Sequence, residues 1–357
     1  MHSQSPSEVE RRLAAAQAAL GNVPDPVLLV GEDGLVREAN AAARALLPTL
    51  QIGQPLSYGL RSPDILEAVE APSDNSVHVE YRTRMPTERV FDVQVTALPG
   101  AGGDRPLVML FFRDITEARR LERMRVDFIA NVSHELRTPL ASLVGFIETL
   151  QGPARDDGAA RERFLGIMQG QAWRMTRLID DLLSLSRIEL REHVTPDTPV
   201  DLRLVAAQII DTLAPMAREH GVAITLHGPD EPLTVFGDRD ELLRVIENLV
   251  ENAVKYGESG GRVDVAILRR GPAIELSVRD YGTGIAHEHL PRLTERFYRV
   301  DVAESREKGG TGLGLAIVKH IVNRHRGRLA IASEPGQGAT FTVSIPAAPA
   351  GRGQDNA

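Results

Sequence analysis

"FIANVSHELRTPLASLVGF", residues Phe128 to Phe146, places one histidine in a segment that has the apolar spacing of a long helix. At about 100° per residue, His134 lies about 220° from the first apolar residue of this region, Leu121. The apolar residues themselves cluster within about 120° of one another. They are Leu121, Met124, Phe128, Val132, Leu136, Leu143, Phe146 and Leu150. The sequence therefore predicts a packing helix that carries an exposed imidazole.

The neighbours of His134 favour a chemical role over the commoner reading, which is an ordinary solvated histidine. Glu135 adjoins it, and Thr138 lies one turn further on the same face. Pro139 interrupts the helix at a cost of about 3 kcal/mol, and strain tolerated inside a helix often marks function. An exposed imidazole is a nucleophile at neutral pH, and an adjacent carboxylate can orient it and accept its proton. This combination predicts a phosphoryl acceptor.

A second helix is predicted after the breaker "QGPARDDG", residues 151–158. Its apolar positions alternate between spacings of three and four residues, which is a heptad seam. Two long helices with one seam each indicate a helical hairpin, and we expect the seams to join it to a second copy in a four-helix bundle. The second seam consists of Phe164, Met168, Gln171, Met175, Leu178, Leu182 and Leu185.

Composition limits the function classes. The chain has 357 residues, which predicts two or three domains, and it has no cysteine, which excludes disulfides and thiolate chemistry. A formal net charge of -8 argues against sequence-independent nucleic-acid binding. No run of about 18 apolar residues is present, and the N-terminus has acids where a signal peptide is basic and then apolar. We therefore expect a cytoplasmic protein.

The region before the histidine helix predicts a compact α+β unit. Residues 7–20 are expected to form a short amphipathic helix, and residues 22–47 a strand, an Asp-Gly turn, a second strand and a helix. Alternating apolar residues predict three more strands in "VHVEYRTRM" (77–85), "RVFDVQVTALPG" (89–100) and "RPLVMLFFRDIT" (105–116).

A phosphoryl acceptor requires a donor site, and four motifs offer one. They are "ENLVENAVKYG" (247–257), "RDYGTGI" (279–285), "TERFYRVD" (294–301) and "GGTGLGLAIVKH" (309–320). The absence of a Gly-Lys dipeptide excludes a GxxxxGK[ST] phosphate loop, and the last motif does not follow a strand, which argues against a dinucleotide fold. Each motif alone has a plain explanation as a turn or a polar helix face.

Together the motifs contain the groups that a nucleotide needs. Asn248 and Asn252 share one helix face, where amide oxygens suit Mg²⁺, and Lys255 suits phosphate in a chain whose other cations are nearly all arginine. Asp280 ends an apolar strand and can accept the exocyclic amine of adenine. Gly282 and Gly284 allow a close backbone approach to the base. Three further glycines would form a mobile loop ending at a helix N-terminus, which favours phosphate: Gly310, Gly312 and Gly314.

"NVSHELRTPLASLVGF" resembles the H box of sensor histidine kinases, and the four motifs resemble the N, G1, F and G2 boxes of their ATP-binding domain, shared in part with gyrase, Hsp90 and MutL. The resemblance implies that His134 is phosphorylated, that Glu135 is its acid/base partner, and that Thr138 positions water for dephosphorylation of a response regulator. It implies that Asn252, assisted by Asn248, holds Mg²⁺. The other implied ATP-binding residues are Lys255 and Arg299 on phosphates, Tyr256 and Asp280 at adenine, and Gly282, Gly284, Ile285, Phe297, Gly310, Thr311, Gly312, Leu313 and Gly314.

The resemblance also implies the architecture, with residues 23–113 similar to a PAS domain. We expect a multidomain α+β protein with a PAS α/β domain, a dimeric helical hairpin and a Bergerat-type α/β-sandwich ATP-binding domain. The expected boundaries are an N-terminal helix or linker at 1–22, the PAS sensor at 23–113, a signalling helix at 114–127, the phosphoacceptor domain at 128–190, a linker at 191–200, the ATP-binding domain at 201–347 and a disordered tail at 348–357.

Within the family the sequence is most similar to the phosphate-regulon (PhoR) type. This implies a homodimer, a response regulator of the PhoB kind as partner, an unknown PAS ligand or signal, and no direct contact with nucleic acid. That type carries membrane helices before its PAS domain and none occurs here, so membrane association is expected only through upstream residues or partners. Two alternatives stay open: an ATPase of the gyrase and Hsp90 class that acts as a conformational clamp, and a non-catalytic PAS scaffold.

Overall fold

The computed structural model describes residues 18, 20–71, 76–83, 88–98, 107–191, 193–301 and 310–349. The chain divides after Ile129 into two compact units. The helix predicted at residues 7–20 lies outside the described residues except for Ala18 and Leu20, which are helical. Most of the predicted tail, from residue 350, also lies outside them.

The first unit contains a five-stranded antiparallel sheet. Its strands are β1 (Val27–Gly31), β2 (Val36–Ala39), β3 (Val77–Thr83), β4 (Arg89–Leu98) and β5 (Leu107–Asp114), in the order β2-β1-β5-β4-β3. Helices α1 (Ala41–Leu46) and α2 (Pro63–Glu70) accompany the sheet. Apolar residues that alternate along the strands fill the core, and all five predicted strands are present.

A buried asparagine fixes the chain around β1 and α1. Asn40 is the N-cap of α1, where its Oδ1 accepts the backbone N–H groups of Ala43 and Val27. Its Nδ2 donates to the carbonyls of Asp25 and Val23. One side chain thus forms hydrogen bonds with backbone groups of both the helix end and the segment that enters the sheet. These bonds explain why a buried amide is tolerated here.

Two long helices form the hairpin that the heptad spacing predicts. Helix α3 (Thr116–Gln151) continues through Pro139, and α4 (Gly158–Leu190) begins at the N-cap Asp157, whose side chain accepts the N–H of Ala160. Phe146 and Phe164 pack with their ring centroids 5.1 Å apart. Proline has no N–H, so the carbonyl of Glu135, four residues before Pro139, loses its helical hydrogen bond. This carbonyl lies next to His134.

The heptad seam of α4 is partly covered within a single chain. The seam residues of α4 are buried or half-buried within a single chain, and Leu178 and Leu185 are 4% and 1% exposed. The α3 seam is less covered, because its Leu121 and Met124 are 61% and 54% exposed. Another set of apolar side chains on the two helices is 41 to 63% exposed: Leu140, Val144, Ile147, Trp173, Ile179 and Leu183.

A second five-stranded sheet follows the hairpin. Its strands are β7 (Ala223–His227), β9 (Arg262–Arg270), β10 (Ala273–Asp280), β11 (Arg328–Ser333) and β12 (Ala339–Pro346), in the order β11-β12-β10-β9-β7. Only the β7–β9 pair is parallel. Helices α5 (Leu202–Glu219), α6 (Arg239–Tyr256) and α7 (Gly314–Arg324) pack against the sheet, as an α/β sandwich requires.

The linker predicted at 191–200 is partly regular structure. Pro199–Asp201 form β6, which pairs with β8 (Thr234–Phe236). Proline is accepted at the first position of such a short strand, where no ladder hydrogen bond from its nitrogen is needed. Among the helices that the structure describes, none has the length and apolar content required to cross a bilayer.

Candidate nucleotide and phosphoacceptor site

A cavity of about 470 Å³ opens in the second unit between α6, the end of β10 and the start of α7. Most residues that the sequence assigns to ATP line it: Asn248, Asn252, Lys255, Tyr256, Asp280, Gly284, Ile285, Arg299, Gly310, Thr311, Gly312 and Gly314. Gly282, Phe297 and Leu313 are not among the lining residues. The four motifs, spread over 74 residues of sequence from 247 to 320, thus meet in one place.

Asp280 defines one end of the cavity, called here the adenine end. The residue is 4% exposed, and its Oδ1 accepts the backbone N–H groups of Gly282 at 3.0 Å and Ala339 at 3.2 Å. Burial raises the pKa of Asp280, an effect larger than the lowering by these hydrogen bonds. A buried carboxylate held by backbone groups is a rigid acceptor for an amine donor.

Gly282 and Gly284 make close contacts with the protein's own backbone. A Cβ on Gly282 would lie 2.2 Å from the carbonyl oxygen of Tyr256, and one on Gly284, whose φ is +70°, would lie 2.1 Å from that of Glu334. No larger residue fits either position without moving the backbone. These glycines therefore serve the adenine end by letting the loop after β10 pack tightly.

The polar face of α6 carries the amides predicted for Mg²⁺. Asn248 donates through Nδ2 to the carbonyl of Arg244 at 2.8 Å. Its Oδ1 is directed toward Gly314, because a Cβ placed there would lie 2.4 Å from that oxygen. Lys255 forms an ion pair with Glu251 at 2.5 Å. The described residues contain no cluster of three His, Cys, Asp or Glu side chains that could hold a metal ion.

Arg299 and Thr311 line another part of the cavity, called here the phosphate end. Phe297 reaches it through the backbone: its N–H donates to the carbonyl of Gly312 at 2.8 Å, and its φ is +64°. A non-glycine residue in this conformation costs about 1–3 kcal/mol, and such strain concentrates at functional sites. The pairing joins the loop of Arg299 to the glycine loop before α7.

Carboxylates of the hairpin bind the groups of the phosphate end. Glu135 accepts a hydrogen bond from Nη2 of Arg299 at 3.1 Å. Asp181, on α4, accepts from the hydroxyl of Thr311 at 2.7 Å through Oδ2 and from Nη2 of Arg244 at 2.6 Å through Oδ1. The side chain of Arg299 is only 5% exposed. The phosphate end is thus shared between the sheet domain and the hairpin.

His134 is exposed on α3, as its helical angle predicts. The hydroxyl of Thr138 donates to the backbone carbonyl of His134 at 3.2 Å, one turn away. Neither residue lines the cavity, and the histidine motif is connected to it through the Glu135–Arg299 contact.

Several residues at the site escaped the sequence analysis. Arg177, Asp180 and Asp181 of α4 line the cavity, as does Arg244 of α6. Arg244 could have been found, because it lies four residues before Asn248 and therefore on the same helix face. The sequence did not indicate that the residues of α4 line a site, since acidic and basic side chains beside a heptad seam are ordinary for a solvated face.

Comparison with known proteins agrees with this geometry. Residues 20–120 match the PAS fold, residues 124–191 the His Kinase A (phospho-acceptor) domain, and residues 237–349 the histidine kinase-, DNA gyrase B- and HSP90-like ATPase family. The chain is 39% identical over 343 residues to the phosphate regulon sensor protein PhoR of Pseudomonas aeruginosa. This match covers 93% of the present chain and 73% of PhoR. This chain belongs to the sensor histidine kinases.

Other relatives support the same family. The kinase is 39% identical over 246 residues to the sensor-like histidine kinase SenX3 of Mycolicibacterium smegmatis, covering 69% of this chain and 64% of SenX3. The crystal structure of histidine kinase ThkA in complex with the response regulator TrrA matches in fold with a TM-score of 0.53 at 22% identity, over 94% of this chain and 99% of that one. The predicted family and fold class, including an ATP-binding domain, are confirmed.

Proposed function

We propose that this kinase phosphorylates His134 with the γ-phosphoryl group of Mg-ATP and then transfers it to an aspartate of a response regulator. The observation that carries the proposal is the ion pair between Glu135, which adjoins His134, and Arg299, which lines the nucleotide cavity. It links the acceptor helix to the donor site inside one compact unit. The ATPase-clamp and scaffold alternatives give no reason for this contact.

The residues have separate roles in the reaction. Asp280 accepts the adenine amine, while Lys255 and Arg299 bind phosphate oxygens. The Nε2 lone pair of His134 forms a bond to the γ-phosphorus as the bond from that phosphorus to the bridging oxygen breaks, and ADP leaves with the electron pair. The ring then carries an extra proton, which Glu135 accepts. Positioning and charge neutralisation provide most of the acceleration in such transfers.

The donor set fits Mg²⁺. Asn248 and Asn252 both line the cavity and present amide groups from one face of α6. Mg²⁺ is bound in nucleotide sites by one or two protein oxygens together with phosphates and water, so a larger acidic cluster is not required. When bound, Mg²⁺ neutralises charge on the transferred phosphoryl group.

Two features suggest the partners. The exposed apolar side chains of α3 and α4 suit a second copy of the hairpin, which gives a homodimeric four-helix bundle. Similarity to PhoR favours a regulator of the PhoB kind and a role in phosphate control, although the chain spans only 57 to 73% of the length of the curated relatives from Pseudomonas, Mycolicibacterium and Bacillus. Phosphotransfer profiling of the phosphorylated kinase against a set of response regulators tests this assignment.

Thr138 supports a second activity, dephosphorylation of the regulator. It lies exposed one turn from His134, where its hydroxyl can orient water. Thr138→Ala is expected to slow loss of phosphate from the phosphorylated regulator and to leave labelling of His134 within about threefold. Equal dephosphorylation rates for both proteins would contradict this role.

Incubation with γ-labelled ATP and Mg²⁺ tests the kinase proposal itself. We expect acid-labile, alkali-stable label on the protein that disappears in His134→Gln while ATP affinity is retained. Turnover of ATP without labelling of the protein would favour the conformational clamp, and neither labelling nor turnover would favour the scaffold.

A further inference from the structure

Two guanidinium groups meet at the carboxylate of Glu135. Nη2 of Arg174 donates to Glu135 Oε2 at 3.0 Å, and Nη2 of Arg299 donates to the same oxygen at 3.1 Å. Glu135 and Arg174 are each 15% exposed, and Arg299 is 5% exposed. At this burial, water screens an ion pair weakly, and removing one partner has a larger effect than at the surface. These contacts therefore hold the Glu135 side chain in one position.

The two arginines come from different parts of the kinase. Arg174 belongs to α4, the other helix of the hairpin, and lies 39 residues from Glu135 in sequence. Arg299 belongs to the ATP-binding domain, 164 residues away, and lines the nucleotide cavity, whereas Arg174 is not among the residues that line it. The first contact is internal to the hairpin, and the second crosses to the nucleotide site.

Arg299 has one hydrogen-bond donor that its contact with Glu135 does not use. Its Nε is buried and has no acceptor among the described residues. A buried donor without an acceptor is destabilising, so an anion that enters the cavity is stabilised by binding it. A guanidinium also matches phosphate geometry with two parallel N–H groups. A nucleotide phosphate is therefore expected to draw Arg299 from Glu135.

We propose that Arg174 is a positioning residue that holds Glu135 at the histidine motif while Arg299 passes from Glu135 to the γ-phosphate. The inference rests on the proposed function, because it requires Glu135 to act on His134. Arg174 does not line the nucleotide cavity, so its proposed effect on the reaction passes through Glu135.

The proton transfer explains why Arg174 must keep Glu135 in position. As His134 Nε2 bonds to phosphorus and ADP leaves, the ring must release one proton, and the Glu135 carboxylate accepts it. If Arg299 were the sole anchor, Glu135 would lose its position at the moment when ATP binds. Arg174 stays in the hairpin and keeps the carboxylate in place through that exchange.

The test compares Arg174→Met with Arg174→Lys and with Arg187→Met, an exposed arginine on the same helix. Single-turnover labelling at saturating Mg-ATP and the Kd for ATP are measured on the full chain, with circular dichroism as a check on folding. We expect Arg174→Met to slow labelling by about 10- to 100-fold, less than most of the roughly 100- to 10,000-fold that a positioned acid/base group contributes, because Glu135 is displaced and not removed. The Kd for ATP should stay within about twofold, Lys should restore part of the rate, and Arg187→Met should leave it unchanged.

A double-mutant cycle with Glu135→Gln separates positioning from general damage. If Arg174 acts through Glu135, Arg174→Met slows the Glu135→Gln protein by less than about threefold. An unchanged rate in Arg174→Met, a parallel loss of ATP affinity, or an equal slowing in the Glu135→Gln background overturns the inference. If the wild-type chain gives no His134-dependent label, the proposed function fails first, so the two failures are distinguishable.

Discussion

The adenine end and the phosphate end of the same cavity are held by different partners. At the adenine end, Asp280 bonds to backbone N–H groups of its own domain. At the phosphate end, Arg299 and Thr311 bond to Glu135 and Asp181 of the hairpin. Under the proposed function, base recognition depends on one domain, while phosphate binding requires nucleotide oxygens to replace hairpin carboxylates as the partners of Arg299 and Thr311. The difference suggests that the adenine end sets affinity and the phosphate end couples binding to the histidine.

The largest expected effect is at the packing of the adenine end. Gly282→Ala would place a Cβ 2.2 Å from the carbonyl of Tyr256, and the backbone would have to shift. We expect a loss of about 1–3 kcal/mol in the free energy of unfolding and a large loss of ATP affinity, measured by denaturant titration and calorimetry. Gly158→Ala, with no atom within 4 Å of the added Cβ, is the matched control. Wild-type stability in Gly282→Ala would show that the adenine end is not rigid.

Asp280→Asn removes the charged acceptor with little change in shape. The loss of a hydrogen bond to a charged group is worth about 1.5–3 kcal/mol, so ATP affinity should fall by about 10- to 100-fold. Glu275→Gln on the same strand controls for lost charge, since Glu275 is 39% exposed and pairs only distantly with Arg270. If both variants lose affinity equally, Asp280 does not read the base.

The pH dependence of binding sharpens the same comparison. Because burial raises the pKa of Asp280, the carboxylate is protonated at a higher pH than an ordinary aspartate, and ATP affinity should fall as pH falls through that raised value. The effect of pH on folding has the opposite direction. Because the pKa of Asp280 is higher in the folded chain than in the unfolded chain, lowering the pH stabilises the fold through this group. Asp280→Asn should remove both effects, and an unaltered pH profile of binding would contradict the assignment.

The smallest effect is expected at the phosphate end. Asp181→Asn weakens the hold on Thr311 and Arg244 and removes a negative charge beside the phosphates, so ATP affinity should rise by about 3- to 10-fold at low salt. Asp180→Asn removes the same charge from the neighbouring position, which also lines the cavity. A rise of equal size in Asp180→Asn would mean that charge alone, and not the bond to Thr311, opposes the nucleotide.

Local patterns in the sequence predicted the elements and much of the candidate site. The spacing of Asn248 and Asn252 placed both amides on one helix face, and the end of an apolar strand located Asp280. The heptad seams predicted the hairpin, but a heptad period describes which residues share a face and not which surface that face contacts. The same limit applies to β6, whose pairing with β8 no local pattern indicated.

The sequence by itself indicated the family, the proposed acceptor histidine and the nucleotide motifs, since each motif consists of residues close together in the chain. Tertiary structure alone decided that Glu135 meets Arg174 and Arg299, and that Asp181 meets Thr311 across 130 residues. The Arg299 and Thr311 contacts depend on how the hairpin and the ATP-binding domain pack together, and the Arg174 contact depends on how the two helices of the hairpin pair. Long-range ion pairs leave no periodic trace, because any exposed charge on a helix satisfies the same local pattern.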